Sequence, residues 1–203
     1  LLVITYKVGK TTATVNPTSN NRTGINSGLV GHWTFDGKNM TNITATDVSG
    51  NGNNGTLTNM TRNGSAVIGK IGQALSFNGS SYITFPHTTA LNLYPISFGG
   101  WFKTNYAAGS RAGFVSKYTG GSANGWESGI TNKKVYAYYF GATSDTGGPA
   151  SAADFNDGKW HHSMNVVDAN GMTMYVDGIV VATSSWTAAP SVTTSVSIGR
   201  IGE

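Results

Sequence analysis

Gly158-Lys159-Trp160-His161-His162-Ser163-Met164-Asn165-Val166-Val167-Asp168-Ala169-Asn170-Gly171-Met172-Thr173-Met174-Tyr175-Val176-Asp177-Gly178 decides the fold class. Met172, Met174 and Val176 alternate with Thr173, Tyr175 and Asp177, the period of two that sends alternate side chains to opposite faces of a strand. Val166 and Val167 close the run before it, and Val180-Val181-Ala182 opens the run after it. Between them stand Asn170-Gly171 and Asp177-Gly178, the dipeptides that turn hairpins most readily. Three strands joined by tight turns make an antiparallel meander and predict an all-β chain.

Working outward, the 203 residues suit one sandwich domain and an extension, enough chain to bury a core. There is no cysteine, which excludes disulfides and thiolate metal sites. Charged residues are 11% of the chain, and the net charge of +4 is scattered, with Lys133-Lys134 the only adjacent basic pair. No basic stripe exists to track phosphates, so a nucleic-acid partner is not expected. The opening Leu1-Leu2-Val3-Ile4 is too short to span a membrane. The chain does not begin with Met, and export with removal of a signal segment is the expectation. Asn-x-Ser/Thr sequons stand at Asn21, Asn39, Asn42, Asn54, Asn59, Asn63 and Asn78. They mark either a surface glycoprotein or a chain that happens to be rich in Asn, Ser and Thr.

The wording of the meander resembles the laminin-G-like, concanavalin A-like jelly-roll domains. The likeness rests on Gly158-Lys159-Trp160-His161-His162 and on Tyr175-Val176-Asp177-Gly178. Other segments resemble the same family in order: Gly28 to Asp36, Asp47 to Thr56, Gly69 to Gly79, Ser97 to Phe102, and Ser197 to Arg200. The resemblance covers about residues 28 to 200. It implies an antiparallel two-sheet jelly-roll sandwich. It says less about function, since that fold hosts lectins, adhesion modules and enzyme appendages. Three parts are expected: a strand over 1–8, a polar linker over 9–27, and the jelly-roll domain over 28–203. Residues 141–153 and Ala188-Ala189-Pro190 read as loops.

An enzyme reading fails on its carboxylates. Retaining glycosidases need two about 5–5.5 Å apart. Glu127 and Glu203 are the only glutamates, and no acidic residue lies within five positions of Glu127. Asp154 and Asp157 are odd-spaced and end in a turn-like Asn156-Asp157-Gly158. No Gly-x-Ser-x-Gly motif occurs. His161 and His162 are adjacent, so on a strand they point to opposite faces and cannot chelate one ion together. No catalytic residue is assigned.

Trp33, Trp101 and Trp160 sit in strand motifs and read as core. Trp126 and Trp186, with Tyr136 and Tyr138, are the candidates for an exposed aromatic platform suited to sugar rings. Calcium is common in the resembled family. A hard-ion site could draw on Asp47, Asn51 and Asn78, although an Asx-rich turn explains the same residues. No other cofactor is implied.

The resembled family closes its sandwich with one more core strand after Ile198-Gly199-Arg200, and here the chain stops at Glu203. A missing interior strand would expose two rows of unpaired backbone groups. Either the sequence is a fragment, or residues 1–8 fold back into the gap, or one subunit's arm enters its neighbour. The third option would place Leu2, Ile4, Tyr6 and Val8 in the next copy and build a head-to-tail filament. The leading expectation is a non-catalytic extracellular or cell-surface module for adhesion or assembly, with copies of itself as partners. The alternative is a carbohydrate-binding, lectin-like module of a larger surface protein, with glycans or other surface proteins as partners. A degenerate or appended glycosidase domain is a third reading.

Overall fold

A computed structural model describes residues 2–6, 28–92, 94–119, 124–140, 148–185 and 190–201. Its strands follow the turn signals of the sequence. They are β1 Leu2–Tyr6, β2 Leu29–Trp33, β3 Thr44–Ala45, β4 Gly55–Thr58 and β5 Ala66–Ile68. Next come β6 Gln73–Leu75, β7 Tyr82–Phe85, β8 Ile96–Lys103, β9 Ala112–Thr119 and β10 Asn124–Thr131. The last five are β11 Lys134–Phe140, β12 Trp160–Asp168, β13 Gly171–Val176, β14 Ile179–Ser184 and β15 Val196–Ile198. One sheet runs β14-β13-β12-β8-β1-β2, and the other β11-β10-β9-β15-β7-β4-β3. β5 and β6 form a separate ribbon. All strand pairs are antiparallel, as a jelly-roll sandwich requires.

The meander that opened the reading is β12-β13-β14. Asp177 and Gly178 take φ of 53° and 81°, the paired positive values of a type I′ hairpin turn. The inward side chains Val167, Met172, Met174 and Val176 are buried. They meet Phe98 and Phe102 of β8 and, from the opposite sheet, Trp126, Phe85 and Ile198. Phe98 and Trp126 meet ring to ring across the sheets, their centroids 4.5 Å apart. Of the segment expected to loop over 141–153, residues 141–147 lie outside the described residues. Ala150 bridges Tyr136, and the Ala137 and Ser151 amides donate to Pro149 and Val135 carbonyls. Residues 149–151 therefore cover the outer edge of β11.

β1 settles the fate of the gap. Val3 pairs with Trp33 on one side and Gly100 on the other; Ile4 pairs with His32 and Gly99. The chain fills the slot between β2 and β8 with its own first strand, the second of the three options. Donation in trans would place the same strand in a neighbour's slot instead. Ile4 and Tyr6 are paired on both edges within their own sheet, and Leu2 pairs with Trp101 of β8. Val8 and the linker lie outside the described residues.

One core position defies its residue type. Lys117 on β9 is fully buried, and its Nζ donates to the Val192 carbonyl at 2.7 Å. Burial drives its pKa down to about 8. Between about 8 and the ordinary 10.5 the unfolded chain holds more protons than the folded one, so stability rises with pH across that window. Asn92 Nδ2 also donates to the Val192 carbonyl, so removing the lysine does not orphan it.

Two outcomes are expected. Ile4→Pro removes an amide from an interior strand and should cost about 2–3 kcal/mol in urea unfolding; an unchanged midpoint would place β1 outside the sheet. Lys117→Met should raise stability at neutral pH by about 1–3 kcal/mol. The gain should shrink as pH climbs past 8. A loss of stability at neutral pH would show that the buried ammonium is favourable.

Candidate functional site

Among the described residues the aromatic candidates form no exposed platform. Trp126 is fully buried, and its Nε1 donates to the Leu91 carbonyl at 2.8 Å. Alternation along β10 puts it on the inner face, against Phe98. Tyr136 and Tyr139 are buried as well. Tyr138 is half-buried under the Arg111 guanidinium, 5.4 Å from its ring centre. Trp186 lies outside the described residues.

Glu127, next to Trp126, points the other way and is buried on the outer face of β10. Arg111 Nη1 donates to its Oε1 at 2.7 Å. Burial pushes the Glu127 carboxyl up, while Arg111, Tyr136 and Ser116 pull it back. Those neighbours include no second carboxylate. Asp154 and Asp157 are also separated in use: Asp154 pairs with Lys134, Asp157 with Lys159 and His161.

The residues read as a hard-ion site serve the backbone. Asp47 Oδ1 accepts from the His32 and Ser49 amides, and Oδ2 from the Asn53 amide. Asn51 and Asn53 donate from Nδ2 to the Val30 carbonyl, stitching this turn to β2. Asn78 belongs to another turn, where Oδ1 accepts from the Ser80 and Ser81 amides. Among the described residues no three His, Asp or Glu side chains are grouped to hold a metal. Of the sequons, Asn42, Asn54, Asn59, Asn63 and Asn78 are exposed. Asn39 is half-buried, with its amide on Thr34. Asn21 lies outside the described residues.

What the fold does build is a cleft of about 570 Å³ at one end of the sandwich, where β8, β10 and β15 end and β9 and β12 begin. That volume lies within the 300–1,000 Å³ usual for small-ligand sites. Phe102 and Phe114 stack beneath it with centroids 4.3 Å apart. Phe77 packs where a side chain on Gly199 would stand; Gly199 has φ of 87° and a Cβ there would come within 2.3 Å of the ring. On the rim are Lys103, Thr104, Asn105, Tyr106, Gly158 and Trp160. Trp160 is half-buried rather than core, and Asn105 and Lys103 are exposed. The sequence motif had placed Trp160 in the interior. It is the first residue of β12 and pairs with Lys103, so it shares the outer face of the sheet with Trp101 and His162. Trp101, the other core expectation, is likewise half-buried on the outer face, against His162 and Lys70.

The segment carrying Trp160 is held by a carboxylate–imidazole–carboxylate clasp. His161 Nε2 meets Asp157 Oδ1 at 3.0 Å, and Nδ1 meets Asp177 Oδ2 at 2.8 Å. The ring packs against Phe102 and Phe155. Asp177 Oδ1 also accepts the His162 amide at 2.8 Å. Burial alone would lower the His161 pKa, but the two carboxylates outweigh it and raise it above 6.5. The hydrogen bond from His161 holds Asp157 well below the ordinary carboxylate range. Burial lowers the neighbouring His162. The two imidazoles lie on opposite faces of the strand, His161 against Phe102 and His162 against Trp101.

The clasp should therefore show in a pH series. His161 contributes stability fully below about 6.5, and loses it as pH rises through its raised pKa. The aspartates contribute above about 3.8 and lose it as pH falls through their depressed values. Asp177→Asn should lower stability by about 1 kcal/mol between those limits, with the difference fading on the alkaline side. Imidazole NMR should place His161's midpoint above His162's; the reverse order would refute the clasp.

The model of a family described as the concanavalin A-like lectin/glucanases superfamily matches residues 77–202. Among solved structures, one match is domain 4 of a GH43 extracellular arabinanase from Geobacillus stearothermophilus, in complex with arabinotriose. It has 18% identity and a TM-score of 0.60, covering 86% of this chain and 84% of that one. The binding domain of Paraclostridial Mosquitocidal Protein 1 matches with 12% identity and a TM-score of 0.62, over 78% of this chain. Botulinum neurotoxin type C, in a structure that ties its cell entry to two ganglioside molecules, matches with 14% identity and a TM-score of 0.63, over 88% of this chain. The chain spans 44% of the length of each of these two toxin chains. At such identities the likeness is one of fold. No curated protein matches the chain.

Proposed function

The chain belongs to the concanavalin A-like lectin/glucanases superfamily, and from that premise we propose that it is a non-catalytic carbohydrate-binding module of an extracellular or cell-surface protein. The observation that carries this reading is the cleft. A sugar ring offers an apolar C–H face and a hydroxyl edge. Trp160 supplies an aromatic face at the rim, and Lys103 and Asn105 supply exposed hydrogen-bonding groups beside it. The backbone at Gly158 keeps that rim open: its φ is 73°, and a Cβ there would come within 2.6 Å of the Asn105 amide oxygen. The arabinanase domain solved with arabinotriose and the neurotoxin linked to gangliosides support a glycan ligand. Among the described residues no helix is long and apolar enough to cross a membrane. The exposed sequons accord with an exported protein. Glu127 bears on catalysis: its partner is a guanidinium, and neither of the two roles a glycosidase shares between carboxylates has a second holder beside it.

The test is a glycan array that includes arabino-oligosaccharides, followed by titration calorimetry on the best binder. Trp160→Ala should weaken binding roughly tenfold or more, the loss expected for one aromatic face, with the unfolding midpoint still cooperative. The wild-type protein should release no reducing ends from the same glycans. A blank array would overturn the carbohydrate reading, and turnover would overturn the non-catalytic one.

A further inference from the structure

The two walls of the cleft differ in chemistry. The rim of Lys103, Asn105 and Trp160 is polar and aromatic. The facing wall is the β5–β6 ribbon, from which Val67, Ile68 and Leu75 line the cleft. This ribbon belongs to neither sheet. It is tied down by polar bonds: the Gly37 amide donates to Gln73 Oε1, the Gln73 amide to Asp36 Oδ1, and the Ser76 amide to the Ser65 carbonyl. Lys70 at its turn reaches over Trp101. The ribbon is thus fixed in place, yet it leaves Ile68 89%, Ile71 70% and Val67 43% exposed. Exposed apolar side chains are ordinary singly; three on one short hairpin, two of them facing a cleft, form a patch.

We infer that the cleft takes an amphiphilic glycoconjugate, a sugar whose aglycone is an alkyl or acyl chain, with the sugar on the Trp160 rim and the chain along Val67 and Ile68. The inference rests on the carbohydrate reading and adds the ligand class. The sugar ring needs a flat apolar face and hydrogen-bond donors, and the rim provides both. A free oligosaccharide presents hydroxyls on both sides. Against the exposed Val67 and Ile68 they would lose water and gain no partner. A hydrocarbon chain removes those same side chains from water instead. The floor of Phe102 and Phe114 is continuous with both walls, so one molecule can lie across it.

The experiment compares methyl and hexyl glycosides of arabinose, galactose and glucose in solution by calorimetry. The hexyl form of the recognised sugar should bind roughly tenfold tighter than its methyl form. Ile68→Asp, at a position that is almost wholly exposed, should bring that ratio close to one. Asn105→Ala should weaken both forms alike. Phosphatidylcholine vesicles carrying the same sugar on a lipid anchor separate the two sources of the chain. Binding to them that the soluble hexyl glycoside displaces places the chain in the cleft. Binding that it does not displace assigns the hairpin to the bilayer surface and overturns the inference. Equal affinities for methyl and hexyl forms overturn it while leaving the carbohydrate module standing. Failure of every glycoside, with a blank array, removes the carbohydrate reading itself.

Discussion

The hydrogen-bonding capacity of the backbone between β2 and β8 governs this sandwich. Two strands facing an empty slot would leave two rows of amides and carbonyls without partners, and burial forbids that. β1 meets the requirement from the front of the chain, pairing with Trp33, His32 and Gly31 on one side and with residues Ser97 to Trp101 on the other. Everything built on β8 depends on that closure. The position of Phe102 at the floor of the cleft and of Lys103, Thr104 and Asn105 on its rim follows from β8 being held along both edges. The cleft lies at the end of β8 remote from Ser97, where Tyr6 is paired.

A second theme is the use of polar side chains as backbone staples. Asp47 and Asn78 each take two or more amides on one carboxylate or carboxamide, and Asp177 takes the His162 amide and the His161 ring nitrogen. In a chain with few charges and many tight turns, these short acceptors do what longer ladders do elsewhere. This is why a string such as Asp47 to Asn53 reads equally well as an ion-binding loop or as a turn. Both uses need oxygen atoms converging on a small volume, and only the direction of the neighbouring amides separates them. In this structure the amides point at Asp47.

The fold was legible because its signals are local. Asp177-Gly178 dictates its own turn geometry, and alternation assigns Met172, Met174 and Val176 to one face. The candidate site was less legible because alternation names a face without saying which face is covered. Trp126 and Glu127 are adjacent and both fully buried, one between the sheets and the other beneath Arg111. Trp160 stood in a strand motif and was assigned to the core. Its exposure comes from its pairing with Lys103, which puts it on the outer face of the sheet. Asn105 and Tyr106 carried no motif, and only the spatial meeting of the β8–β9 connection with Gly158 gives them meaning.

The same distinction explains why the clasp and the cleft belong together. Trp160, His161 and His162 are consecutive, and alternation sends His161 opposite to its two neighbours. A charged imidazole on the inner side would be costly there without counter-ions. Asp157 supplies one from the turn before β12 and Asp177 the other from the β13–β14 turn, so the polar requirement of one residue ties both turns together. Gly158 lies between Asp157 and Trp160, and its positive φ brings the chain up to Asn105. The rim is therefore shaped by electrostatics behind the strand, whereas the opposite wall is shaped by a ribbon that leaves Val67, Ile68 and Ile71 exposed. A ligand that satisfies only one wall leaves the other's surface in water, and the proposed ligand class rests on that asymmetry rather than on any single residue.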